Sequence, residues 1–494
     1  MNALFELEVV TPTPTSREIS NGLHQQLRAA ILEGRLRPGA KLPSTRSARA
    51  QYGVSRNTAQ EVYDRLAHEG LVVAQHGSGT YVTDPLPWLD TAAARSIVEV
   101  ADDRLNGFWL SPEIASSIGF WRESELALPS GQATIDLRPA AIDPTLFPFA
   151  TFRQVMARQL RRLETRPASS RSPQWNQGSF QLRHAISDHV ALTRAVACQP
   201  DEVLVTSGAQ QAFDLIARTL VKPGQTIVAL EDPAFPPMRV PFAAAGARLV
   251  PVRVDSEGIV IEDIPKDAGI ICVCPSHQFP LGMSMSPARR QALLQFARLR
   301  RAVIVEDDYD GEFRYDGTPL QALRNAGSSD LVFYAGSFSK CMLPSLRLGF
   351  LVPPAWAMRS LVAAKNALDW HCSVPLQLAV AAFITDGHLG RHVHRMRRIY
   401  RQRRDHVLEL LKRDLSAKLR PIPSSYGLHV TAETTNEIDT EAVSEALARR
   451  GIVCHALTRY FMGPAVRSGF VISYASADTN ALDTAVAALA EELA

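Results

Sequence analysis

The order of apolar and polar positions divides this chain into two unlike parts. Near the start, Ile19, Leu23, Leu27 and Ile31 recur at helical spacing, and Gly34 stops the run. A turn follows over Arg37–Pro43. Ser44 reads as the N-cap of a second helix running to about Gln51. Gly53, Val54 and Ser55 form a tight turn, with Ser55 as a new N-cap. The third helix is expected from Arg56 to about Glu69, with Val62 and Leu66 inward. Gly70–Ala74 and Thr80–Val82 read as short strands around the Gly-rich tip His76–Gly79. Helix, turn, helix and a two-stranded wing over residues 16–82 predict a winged helix-turn-helix domain.

Residues 83–133 hold no sustained period. Pro85, Pro87 and the scattered Trp88, Trp109 and Trp121 mark a linker. From about Thr134 the rhythm changes. Short apolar runs at 203–207, 226–230, 247–252, 269–274, 301–305, 331–335 and 348–352 are separated by helical stretches. That alternation predicts an α/β fold with a mainly parallel, doubly covered sheet over 134–494. The polar stretch Thr431–Thr440 and a helix over Glu441–Arg450 predict a small C-terminal α/β subdomain. Residues 391–404 carry seven arginines. With Val393, Met396 and Tyr400 inward, these read as a solvated helix face.

Composition narrows the class. The chain is 46% hydrophobic and 21% charged, with a net charge of +3, which fits large cores and says little about partners. The local charge says more. Arg35, Arg37, Lys41, Arg46, Arg49 and Arg56 fall in one stretch without an acid. The cysteines at 198, 272, 274, 341, 372 and 454 have no zinc-finger spacing and read as reduced thiols, so no metal site is expected. The first residues carry acids and no basic leader, and no run approaches the roughly 20 apolar residues of a membrane span. A cytoplasmic location, away from membrane, is the expectation.

Geometry makes the first domain a candidate for double-stranded DNA. The third helix would enter a major groove by its N-terminal end, which carries Ser55, Arg56, Asn57 and Thr58. Ser44 and Arg46 begin the preceding helix, where N–H groups and a guanidinium grip phosphate. The wing tip of Gly77, Ser78 and Gly79 allows close approach to the DNA backbone.

The second domain is organised around Ser337-Phe-Ser-Lys340. A lysine amine forms a Schiff base with an aldehyde, and Ser337 with Arg347 can hold a phosphate. Asp307 ends the apolar run Val303–Val305 with Glu306, and can pair with a pyridinium nitrogen. The Tyr309 phenol can reach a ring hydroxyl. Gly208 sits at a strand–helix junction where N–H groups cradle phosphate. Gly208, Asp307, Ser337 and Lys340 all fall at strand ends, where such sheets bind ligands. The cofactor these positions suit is pyridoxal 5'-phosphate.

Leu42-Pro-Ser-x-Arg46, Gly53–Thr58, Gly70-Leu-Val and Gly77–Val82 resemble the GntR-type winged-helix repressors over about 65 residues. One departure is visible: Ala48 and Arg49 stand where those proteins usually have a core leucine and an alanine. Thr206–Gln210, Glu231–Phe235, Pro275–Gly282, Glu306–Tyr309 and Ser337–Lys340 resemble the class I, fold-type I aminotransferases. The order of the two domains is that of the MocR-type regulators. The resemblance implies an aldimine at Lys340, a pyridinium partner at Asp307 and a ring-hydroxyl partner at Tyr309. It also implies phosphate contacts from Gly208, Ala209, Ser337 and Arg347, and stacking by Phe235. Phe279 replaces the usual asparagine before Pro280, which leaves Gln278 or His277 to substitute. Val471 stands where aminotransferases carry a carboxylate-binding arginine, and Arg467 reads as a surface residue. The reading is a homodimeric transcription regulator that binds operator DNA and senses a small amine, an amino acid or the cofactor itself. A working aminotransferase with an accessory DNA-binding domain is the alternative.

Overall fold

The computed structural model describes residues 16–75, 78–83, 104–111, 114, 117, 135–139, 141–165, 175–316, 321–325 and 327–494. Two compact units make it up, Met1–Leu105 and Asn106–Ala494. Most of the 83–133 linker and the wing-tip Gly77 lie outside the described residues.

In the first unit, helix α1 (Ser16–Leu32) buries Leu23, Leu27 and Ile31 completely. Gly34, at φ +73°, takes the left-handed conformation that ends the run. Helix α2 (Ala48–Tyr52) is shorter than the sequence suggests. Ser44 caps a preceding turn instead, its Oγ accepting the Ser47 N–H at 3.2 Å. Ala48 is fully buried, so the smaller residue still serves the core. Gly53, at φ +70°, separates α2 from α3 (Arg56–His68). Val62 and Leu66 of α3 share one core with Leu23, Leu27 and Leu71. Strands β1 (Val72–Gln75) and β2 (Gly79–Val82) pair antiparallel, Val72 opposite Val82.

The second unit opens with the short strand β3 (Ile135–Asp136). Its main sheet contains β4 (Leu204–Thr206), β5 (Ile227–Asp232), β6 (Arg248–Asp255), β7 (Gly258–Ile259), β8 (Ala268–Val273), β9 (Val303–Asp308), β10 (Val332–Ser337) and β11 (Gly349–Val352). The strand order is β4-β11-β10-β9-β8-β5-β6-β7. Strands β10, β9, β8, β5 and β6 run parallel, while β11 is antiparallel to both its neighbours. Apolar residues are buried on both faces. Phe213, Phe242, Phe333 and Leu361 belong to one core, and Ile271, Leu293, Ala297 and Ile304 to another. Burying each of the Phe, Leu and Ile side chains among them stabilises the fold by roughly 1.5–3 kcal/mol.

The C-terminal subdomain is a four-stranded sheet in the order β12 (Leu419–Pro421), β13 (His429–Thr434), β16 (Gly469–Ser473), β15 (His455–Ala456). Strand β3 leaves the start of this unit to pair with β14 (Ile452–Val453). Two-residue strands carry too little pattern for sequence to reveal that pairing. The helix His388–Asp414 buries Val393, Met396 and Tyr400. Its arginines, however, are not simply a solvated face. Arg403 is buried and donates to Asp143 at 3.2 Å, and Arg404 donates to Asp316 at 2.9 Å. Each guanidinium is paired with a carboxylate, and that of Arg404 also lies 4.9 Å from the Tyr315 ring centre.

Candidate functional site

In the first unit, Ser55, Arg56 and Asn57 are exposed at the start of α3, as are Ser44 and Arg46 before α2. Thr58 departs from the expectation. It is buried, its N–H reaches Ser55 Oγ at 3.1 Å, and its hydroxyl lies 2.8 Å from the same oxygen. Ser55 and Thr58 therefore close the helix cap, which leaves Arg56 and Asn57 as the side chains projecting from it. Ser78 and Gly79 are exposed at the wing. Gly79 has φ +124°, and a Cβ there would come within 2.9 Å of Lys41 Cε. Lys41 itself lies over the Tyr81 ring, 5.6 Å from its centre.

In the second unit, strands β4, β5, β8, β9 and β10 end on one edge of the sheet. A cavity of about 550 Å³ opens there, lined by Ala209, Phe235, Asp307, Tyr309, Ser337, Lys340 and Arg347 among others. Strand alternation selects which acid of the run Glu306-Asp307-Asp308 faces it. Glu306 turns to structure, accepting the N–H groups of Leu323 and Arg324 at 2.9 and 3.1 Å. Asp308 pairs with Arg194 at 2.6 Å and accepts the Tyr334 hydroxyl at 2.5 Å. Asp307 takes the other face and lines the cavity. It is 7% exposed, and its Oδ1 has no hydrogen-bond partner. Burial, with the charges of Asp308 and Asp310, pushes the Asp307 carboxyl up to about 8.

Lys340 follows β10 through Phe338, which is buried against Phe350 and donates its N–H to Leu348 at 3.1 Å. That anchor fixes where the lysine leaves the sheet edge. Burial lowers the Lys340 amine to about 8, against the opposing pull of Asp310 and Asp307. Near neutrality its neutral, nucleophilic form is thus far more accessible than that of a surface lysine.

Across the edge, Gly208 caps the helix Ala209–Leu220 at φ +80°. Its missing side chain matters, because a Cβ there would stand 3.3 Å from Arg347 Nη2. The Arg347 guanidinium donates to the Ser207 carbonyl at 3.3 Å. Gly349 must also be glycine, since a Cβ would meet Gly336 O at 2.8 Å and Gly208 Cα at 2.9 Å. A helix N-terminus, an arginine and the Ser337 hydroxyl beside it make an anion cradle. Phe235 meets Phe279 edge-on, with ring centres 5.6 Å apart.

Two placements differ from the expectation. Gln278 does not line the cavity; its amide donates to Pro233 O and Glu231 and accepts the Leu281 N–H. It holds its own turn and has no donor left for a ring hydroxyl. Tyr309 does line the cavity, but its hydroxyl lies 2.6 Å from His277 Nδ1. Two further charged residues at the cavity, Asp136 and Arg138, lacked any sequence signal. Asp136 ends a two-residue strand, Arg138 lies two residues beyond, and neither matches a motif. Val471 is fully buried in β16, and Arg467 is paired with Glu433 at 2.5 Å. Neither lines the cavity.

The pocket residues could hold pyridoxal phosphate. The buried, unpartnered Asp307 Oδ1 is suited to a protonated ring nitrogen, and the Gly208–Arg347 cradle is suited to its phosphate. Lys340 supplies the amine between them.

Comparison with known proteins identifies both domains. The pattern described as bacterial regulatory proteins, gntR family, matches residues 19–82, and that of aminotransferase class I and II matches residues 147–489. The chain is 33% identical to the probable rhizopine catabolism regulatory protein MocR of Rhizobium meliloti, over 92% of this chain and 90% of that one. It is 31% identical to the pyridoxine biosynthesis transcriptional regulator PdxR of Corynebacterium glutamicum, over 97% and 96%. Its fold is similar to the crystal structure of LysN, an α-aminoadipate aminotransferase of Thermus thermophilus complexed with N-(5'-phosphopyridoxyl)-L-leucine. The TM-score is 0.67 and the identity 26%, over 76% of this chain and 94% of that one.

Proposed function

The chain belongs to the MocR-type transcription regulators, which join a gntR-family DNA-binding domain to an aminotransferase class I and II domain, and on that premise we propose that it holds pyridoxal 5'-phosphate at Lys340 and uses it to sense a small amine or amino acid. The observation that carries this reading is Asp307, a buried carboxylate with one unpartnered oxygen in the same cavity as Lys340.

Pyridoxal phosphate supplies an aldehyde that condenses with primary amines and a ring that withdraws electrons. Lys340 offers the resident amine, kept nucleophilic by its burial. Asp307 would meet a protonated ring nitrogen at Oδ1. Arg347, Ser337 and the N–H groups of Gly208 and Ala209 would hold the phosphate. Phe235 would pack against the ring, and the Tyr309 phenol, held by His277, would be available to the ring hydroxyl. That aldehyde would accept either the Lys340 amine or an amine from solution, which is the chemistry a sensor of small amines needs.

In the DNA-binding domain, Arg56 and Asn57 read bases in the major groove, while Ser44, Arg46 and the wing bind phosphate. The protein acts as a homodimer in the cytoplasm, with two winged helices on repeated half-sites. Effector binding changes operator affinity because it differs between two arrangements of the chain. Val471 and the Arg467–Glu433 pair disfavour efficient turnover, since orientation of an α-carboxylate by that strand is lost.

The test starts from duplexes selected out of a random-sequence pool by the cofactor-loaded protein. Their affinity is then measured with and without a panel of amines. The wild type should bind with an affinity that some amine changes, and Lys340→Ala should bind without that change. An amine response that survives in Lys340→Ala would refute the reading.

A further inference from the structure

Resting on Lys340 as the cofactor lysine, we propose that Arg138 receives an acid group of the effector, so that the effector is an amine carrying a carboxylate or a comparable anion. Among the described residues, the cationic side chains lining the cavity are Arg138, Lys340 and Arg347. Lys340 and Arg347 serve the cofactor in the reading above. Arg138 does not, and it shares the same cavity.

Its geometry suits anion binding. Asp136 Oδ1 accepts the Arg138 Nε at 2.9 Å and its backbone N–H at 3.0 Å, and Oδ2 accepts Nη2 at 2.6 Å. The fork is thus set in one orientation before any ligand arrives, and a guanidinium has five N–H donors to distribute. The pair is close to neutral, so it does not repel the ammonium end of an amino acid. The backbone is equally fixed. Leu137 donates to Val453 O and accepts from the Ser473 N–H, both at 2.8 Å. Arg138 therefore stands on the small sheet's side of the cavity, while Lys340 leaves the main sheet. A ligand that meets both residues spans the cavity.

The strand that aminotransferases use for this task offers no rival. Val471 is fully buried, and Arg467 is held by Glu433. Phe279, Pro139 and Ala141 supply apolar wall for a carbon stem.

The experiment compares amino acids with amines of matched length on the pyridoxal phosphate-loaded wild type, read by its visible band. Glycine, β-alanine, 4-aminobutanoate and 5-aminopentanoate are each paired with the alkylamine lacking the acid group. At one or more lengths the amino acid should half-saturate at roughly 10- to 100-fold lower concentration, the range of a charge-assisted hydrogen bond. Arg138→Gln should keep the band and the alkylamine response while losing that advantage, and Arg138→Lys should recover part of it. Equal half-saturation for every pair in the wild type overturns the proposal and leaves the sensor reading intact. So does an advantage that survives in Arg138→Gln. A wild type with no band at all defeats the cofactor reading, and the proposal with it.

Discussion

The hydroxyl of Tyr309 lies 2.6 Å from Nδ1 of His277, and the same nitrogen lies 2.9 Å from Asp310 Oδ2. One ring nitrogen therefore sets the position of a cavity phenol from behind. The imidazole is itself confined: a Cβ on Gly427 would fall 1.9 Å from His277 Cε1. Tyr309→Phe and His277→Ala should each weaken pyridoxal phosphate binding by about 1 kcal/mol, or roughly fivefold. Because both act through one hydroxyl, the double variant should bind about as well as either single one. Equilibrium dialysis of the cofactor measures this, and fully additive losses would count against the coupling.

Asp307 predicts a pH dependence with a definite sign. Its carboxyl rises to about 8 in the folded, cofactor-free chain from an ordinary value of 3.8. Between those values the folded state holds a proton that the unfolded state has released. This group's contribution to stability is therefore present at low pH and is lost as pH climbs toward 8. Lys340, lowered to about 8 from 10.5, acts oppositely above pH 8, where stability rises with pH. Thermal melts of cofactor-free wild type and Asp307→Asn should converge near pH 4, with the wild type falling behind as pH approaches 8. Parallel curves would mean that the carboxylate is not held protonated.

The phosphate cradle proposed at Gly208 and Arg347 makes a more selective prediction. Gly208→Ala places a Cβ 3.3 Å from the Arg347 guanidinium in a backbone conformation with φ +80°. The strain and displacement should cost roughly 1–3 kcal/mol of pyridoxal phosphate binding. Pyridoxal, which lacks the phosphate, should lose much less. Comparing the two ligands separates damage to the cradle from general loss of structure.

Much of this could be seen in the residues alone. That Ser337–Lys340, Asp307 and Gly208 gather at one edge of the sheet was legible, because each follows an apolar run at a strand end. The winged helix was legible from Ser55, Gly53 and the spacing of Leu23, Leu27 and Ile31. Arg138 was not, because it lies just beyond a two-residue strand, Ile135–Asp136, whose place is fixed only by pairing with Ile452–Val453. Thr58 and Gln278 carried suitable chemistry for the wrong task. Their donors go to a helix cap and a turn, and one-dimensional spacing does not show which partner a polar group has taken.

For the DNA-binding domain, Arg56→Ala should cost roughly 1–3 kcal/mol of operator affinity and relax base preference at one position. Arg46→Ala should weaken binding to all sequences alike and reduce the salt slope by about one. Fluorescence anisotropy over a salt series distinguishes the two patterns. Thr58→Ala should instead lower thermal stability, since its role is in the cap.

The most direct test of the central claim is a visible-absorbance titration of the pyridoxal phosphate-loaded protein with amines, amino acids and sulfonates. The prediction is a cofactor band that Lys340→Ala lacks, shifted by an effector and remaining shifted, with no carbonyl product released. Release of a carbonyl product would make the protein a working aminotransferase. No band in the wild type, even with added cofactor, would show that Lys340 is not the cofactor lysine and would contradict the account.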